Sequence, residues 1–123
     1  MRAHATVAAI TVGAAALAGC SSPPEEPPPA YTVTSRIGSG SYVDIEVAVD
    51  RKHRLKDVFD QVLADNVGSS GYFIKIMCGA DGPNNKRALA FGKMASDEAG
   101  AYHTGLLSAG MYQFDLTSGA SCP

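Results

Sequence analysis

Leu55-Lys56-Asp57-Val58-Phe59-Asp60-Gln61-Val62-Leu63-Ala64-Asp65-Asn66-Val67 (residues 55–67) is the stretch that decides the fold. Leu55, Val58, Phe59, Val62, Leu63 and Val67 recur at helical spacing and fall on one stripe, while Lys56, Asp57, Asp60, Gln61 and Asp65 lie off it. Asn66 and Gly68 are stop signals. The spacing predicts an amphipathic helix over 55–67. The segments on either side follow a different period. Tyr42 to Val49 alternates, with Val43, Ile45, Val47 and Val49 on one face and Asp44, Glu46 and Ala48 on the other. Gly71 to Cys78 places Tyr72, Ile74, Ile76 and Cys78 on one face and Phe73, Lys75 and Met77 on the other; apolar groups on both faces mark a central strand. A helix between two strands, facing a shared apolar surface, makes this an α+β chain.

Working outward, Tyr31 to Ile37 alternates as well, with Tyr31, Val33, Ser35 and Ile37 expected on one face. Gly38-Ser39-Gly40-Ser41 joins it to the next strand as a hairpin turn. A Gly-x-Gly followed by a strand, with no Gly-Lys-Ser/Thr, is not a phosphate loop. Gly79 to Asn85 reads as a loop. Arg87 to Met94 reads as a strand with Leu89 and Phe91, although its alanines weaken the pattern. Ser96-Asp97-Glu98 can open a short helix bearing Ala99 and Tyr102. Met111 to Leu116 closes the series, with Tyr112, Phe114 and Leu116 set against Gln113 and Asp115. The expected architecture is a mainly antiparallel sheet of about five strands with one long amphipathic helix packed on one face.

Length and composition restrict the function. The chain has 123 residues and a formal net charge of −2, too mild to argue for nucleic acid. There is no Trp, and all nine Phe and Tyr residues fall within 31–123. That clustering predicts one packed domain over 31–123.

Residues 1–30 carry an address. Met1-Arg2-Ala3-His4 is short and positive, and Ala5 to Ala16 is an uncharged run too short for a good membrane span. Leu17-Ala18-Gly19-Cys20 follows. The pattern resembles the lipobox of prokaryotic lipoproteins: Leu, two small residues, then Cys. The resemblance implies a signal peptide over 1–19, cleavage before Cys20, and diacylglycerol on the Cys20 thiol, with acylation of its new amine. Two or three chains, at ~0.8 kcal/mol per buried CH₂, exceed the marginal hold of one. It implies a palmitate-type anchor on the extracytoplasmic face of the cell membrane. Ser21 to Ala30 holds five of the seven prolines. Together with Cys20 it forms a lipidated, semi-rigid spacer over 20–30.

Two cysteines remain, Cys78 and Cys122. In an exported protein they pair most economically with each other, and closing so long a loop stabilises by ~4 kcal/mol in the chain-entropy model. The rival reading is a metal or nucleophile site from Cys78, His103, Cys122 and Asp81, which lacks Cys-x-x-Cys or His-x-x-x-His spacing. No cofactor or metal is expected. His53 sits in a charged run and His103 near a helix end. No Gly-x-Ser-x-Gly frames a serine, and both histidines read as surface or locally satisfied groups.

Arg51-Lys52-His53-Arg54-Leu55-Lys56 sets four permanent cations at the start of the helix. The helix dipole disfavours them there by ~0.3–1 kcal/mol. One reading of Arg51, Lys52, Arg54 and Lys56 is an anion-binding patch for lipid headgroups, an acidic polymer or an acidic protein face. The alternative is a solvated turn paired with Asp50, Asp57 and Asp60.

Gly71-Tyr72-Phe73, Thr104-Gly105-Leu106 and Cys122-Pro123, with the Ala-rich signal, are similar to small lipoproteins of high-G+C Gram-positive bacteria and their prophages. That resemblance carries no catalytic motif. It implies surface display or partner binding, and superinfection exclusion for phage-associated members. The expected function is a membrane-anchored binding module with an envelope protein partner, not an enzyme. Behind it stand a small-ligand or lipid carrier, which needs a cavity, and a hydrolase, which needs His53 or His103 beside a carboxylate and a nucleophile.

Overall fold

In the computed structural model, residues 26–39, 41–79 and 88–122 are described. The expected signal over 1–19, Cys20 and the expected spacer as far as Glu25 lie outside them, as do Gly40 of the expected hairpin turn and residues 80–85 of the expected loop with Asp81. The elements are β1 (Thr32–Ser39), β2 (Tyr42–Val49), α1 (Leu55–Asp65), β3 (Gly71–Cys78), β4 (Ala88–Ala95), α2 (Glu98–Thr104) and β5 (Tyr112–Leu116). The fold is α+β, with one five-stranded sheet in sequence order β1-β2-β3-β4-β5.

Three strand pairs are antiparallel and β2–β3 is parallel, so the sheet is mixed. A parallel pair needs a crossover connection long enough to carry the chain back to the starting edge of the sheet, and the segment with α1 between β2 and β3 supplies it. The helix is shorter than the 55–67 stripe predicts. It spans 11 residues and ends at Asp65, where the Asn66 side-chain amide donates to the Val62 carbonyl at 2.8 Å. Val67 is therefore not on the buried stripe and stands exposed. A second short helix, α2, accompanies it.

The alternating patterns put one face of the sheet under α1. Val43, Ile45, Val47 and Val49 of β2, and Tyr72, Ile74, Ile76 and Cys78 of β3, are buried with Leu55, Val58, Phe59 and Val62 of the helix. Each fully buried side chain of this kind contributes about 1.5–3 kcal/mol of transfer free energy. The small residues that weaken the β4 pattern have a packing role. A Cβ at Gly92 would overlap the Phe59 ring, and Ala90 is fully buried nearby. Phe59 fills the space these residues leave and meets the ring of Phe114 at 5.3 Å.

β1 departs from its expected alternation. A bulge between Val33 and Ser35 shifts its register. Val33 pairs with buried Val47, whereas Ser35 and Ile37 pair with Glu46 and Asp44 on the opposite face. A bulge moves all later side chains to the other surface. Cys78 and Cys122 form a disulfide with Cα atoms 5.4 Å apart, holding the chain after β5 against the end of β3.

At the other end of the sheet α2 is set by its caps. Asp97 accepts from the Gly100 amide at 2.9 Å and from the Ser70 hydroxyl at 2.8 Å. These bonds hold its carboxyl below the usual carboxylate value. Gly105 ends the helix in the left-handed region. Gly100 lies so close to the backbone of Ser70 that any Cβ would overlap it.

Candidate functional site: the uncovered sheet face

Opposite α1, the sheet presents a second face in two rows. One row runs Ser35, Glu46, Lys75, Phe91, Asp115 across β1 to β5, and the next runs Ile37, Asp44, Phe73, Lys93, Gln113. These residues line an open depression of about 570 Å³. Strand alternation places them: on β2 and β3 each of them is flanked in sequence by buried residues and so points the other way, and the cross-strand register carries the rows on to β1, β4 and β5.

Phe91 is about half exposed and Ile37 two-thirds exposed (47% and 67%). The Lys75 ammonium lies 5.8 Å from the Phe91 ring centre, within cation–π range. The Lys93 ammonium donates to the Thr104 carbonyl at 2.8 Å, which ties this face to α2. Glu46 accepts from the Thr34 hydroxyl at 3.0 Å and Asp115 from the Gln113 amide at 2.8 Å. Towards α2 the rings continue. Phe73 meets Tyr42 edge-on at 6.3 Å, Tyr42 meets His103 at 5.4 Å, and His103 meets the exposed Tyr102 at 5.7 Å. The face thus joins apolar rings, two cations and three carboxylates in one shallow surface. Rings supply contact area at low entropy cost, and the flanking charges supply orientation. Nothing in it resembles a nucleophile with an attached base. His53 lies exposed before α1, and His103 packs among rings.

The residues singled out in the sequence lie elsewhere. Both cysteines are consumed by the disulfide. Among the described residues no three of His, Cys, Asp and Glu gather as a metal-holding group, and no helix is long and apolar enough to cross a membrane. Three of the four cations of the basic run are engaged within the fold. Lys52 donates to the Ala120 carbonyl at 2.9 Å. Lys56 pairs with Asp60 at 2.6 Å and stands 4.4 Å from the centre of the Tyr112 ring. Arg54 pairs with Asp57 at 2.8 Å and donates to the carbonyls of Pro27 and Glu26 at 3.0 and 3.2 Å. Arg51 is exposed. The pairing with Asp57 and Asp60 answers the dipole cost, because each carboxylate in the first turns sits beside its cation.

The sequence carried a signal for the uncovered face in Phe73 and Phe91. A Phe on the polar side of an alternating strand predicts either a second covering layer or an exposed ring. In the sequence Phe73 marks a central strand, with the expected helix on one face only. Among the described residues no layer covers the Phe91 end of the face.

No family model, curated protein or solved structure matches this chain, so the reading of function rests on these residues.

Proposed function

We propose that this chain is a lipid-anchored envelope protein, held through Cys20 on the extracytoplasmic face of the cell membrane, whose domain binds a partner protein on the uncovered sheet face. The observation that carries the binding reading is the pair of half-buried Phe73 and exposed Phe91, diagonal neighbours interleaved with Lys75 and Lys93. Partly exposed rings with charged neighbours have the composition of an interface centre and its rim. The lipobox-like Leu17 to Cys20 supports the anchor. The same considerations favour binding over catalysis, and an envelope partner over nucleic acid or metal. A role in excluding a second phage at the envelope is one form such binding takes.

The test places a photo-crosslinking side chain at Phe91 and, as a control on the covered side, at Gln61 of α1, in intact cells. An adduct of one mass at Phe91, absent at Gln61 and lost with Lys75→Glu, supports the reading. Equal labelling at both positions overturns it. Mass spectrometry of Cys20 tests the anchor separately.

A further inference from the structure

Arg54 is the described non-glycine residue with a left-handed backbone, at φ 50° and ψ 46°. It occupies the position before α1, where its side chain makes no cap. Instead its guanidinium spreads over three groups: the Asp57 carboxylate, the carbonyl of Pro27 and the carbonyl of Glu26, with the Glu26 carboxylate at 3.6 Å. A planar fork with five donors suits such a task and an ammonium does not. The side chain of Arg54 is only about one-quarter exposed.

The segment it holds is fastened again further on. The Tyr31 hydroxyl donates to Asp65, at the far end of the same helix, and Pro29 between the two fastenings is half-buried. Four residues of polyproline geometry span about 12 Å, close to the roughly 16 Å length of an 11-residue helix. The end of the proline-rich stretch therefore lies along α1. Its three consecutive prolines, Pro27 to Pro29, have little freedom to lose when they settle there.

We infer that Arg54 is a clasp that turns the end of the spacer into a fixed mount, so that the domain stands on its anchor in one orientation. This leaves only five residues, six steps that can reach at most about 19 Å, between Cys20 and the gripped Glu26. The loop 50–54 then faces the anchor. α2, with Tyr102 and the following Leu107, lies at the opposite end of β3 and points away from it. The membrane orientation rests on the anchored reading above; the clasp itself does not.

The experiment is ¹⁵N relaxation on the full chain in detergent micelles, read at the Glu26 amide and the Arg54 side chain. In the wild type, Glu26 is expected to have an order parameter near the rigid-backbone value of about 0.85, and Arg54 restricted guanidinium rotation. Arg54→Gly keeps the left-handed backbone without strain and removes the grip. The domain is expected to fold with an unchanged strand spectrum while the Glu26 order parameter drops below about 0.6. Arg54→Lys is expected to follow the glycine variant. A Glu26 amide that is already mobile in the wild type, or that stays rigid in Arg54→Gly, overturns the clasp. Absence of lipid on Cys20 in the same sample overturns the anchored reading alone, and a rigid Glu26 there still supports the clasp.

Discussion

The two faces of the sheet are built from the same five strands and have opposite fates. Beneath α1, β2 and β3 present Val43, Ile45, Val47, Ile74 and Ile76, all essentially excluded from water. On the other side the same strands present Asp44, Glu46, Phe73 and Lys75, with Phe91 half exposed on β4. Burial on the first face supplies the stability. The second face is left free to vary in chemistry, because its side chains add little to the core. Stability and binding can therefore be perturbed separately, and substitutions on each face should separate them.

The largest effect belongs to the covered face. Phe59→Ala should lower stability by about 3–5 kcal/mol, since the ring is fully buried over Gly92 and against Phe114. Urea unfolding would measure it. The disulfide comes next. Cys122→Ser is expected to cost about 2–4 kcal/mol and to release the segment after β5, seen as a lower unfolding midpoint with the wild-type strand spectrum retained. Gly92→Ala should cost about 1–3 kcal/mol by overpacking against Phe59. A cost as small as that of an exposed substitution would mean the helix sits further from the sheet than described.

On the uncovered face, Phe91→Ala should change stability by about 0.5 kcal/mol or less while abolishing most crosslinking at neighbouring positions. A loss of stability comparable to that of Phe59→Ala would erase the distinction between the faces. The smallest effects are electrostatic. Asp97 is held below its ordinary value by the Gly100 amide and the Ser70 hydroxyl. Its contribution is present above the unfolded-state value and is lost as pH falls through the lower folded one. Asp97→Asn should flatten that acid limb. Tyr31 is pushed up to about 12, first by burial and then by its bond to Asp65. Its contribution is complete below about 10, the unfolded-state value, and is lost as pH rises through 12. Absorbance titration of the wild type against Tyr31→Phe would show one late-titrating phenol disappear.

Much of the covered face was legible in the sequence. The period-two runs at 42–49 and 71–78 and the helical stripe from Leu55 to Leu63 name the core almost residue for residue, because burial follows directly from periodicity. The pairing of Cys78 with Cys122 followed from counting. The uncovered face was less legible. Its two rows come from five separate strands, and no local pattern records which positions become neighbours across a sheet. The β1 bulge, which carries Ser35 and Ile37 to that face, has no glycine or proline to announce it.

The sequence by itself determined the α+β class, the strands and the helices to within a few residues, the buried side chains of β2, β3 and α1 as far as Val62, and the disulfide. These depend on local period, on capping residues such as Asp97, and on composition. Only the tertiary structure decided that β2 and β3 run parallel, that Lys52 and Arg54 reach Ala120 and residues 26–27, and that Phe73 and Phe91 lie together on one face. Those outcomes depend on contacts between residues distant in the chain, whose energies exist only once the chain has closed on itself.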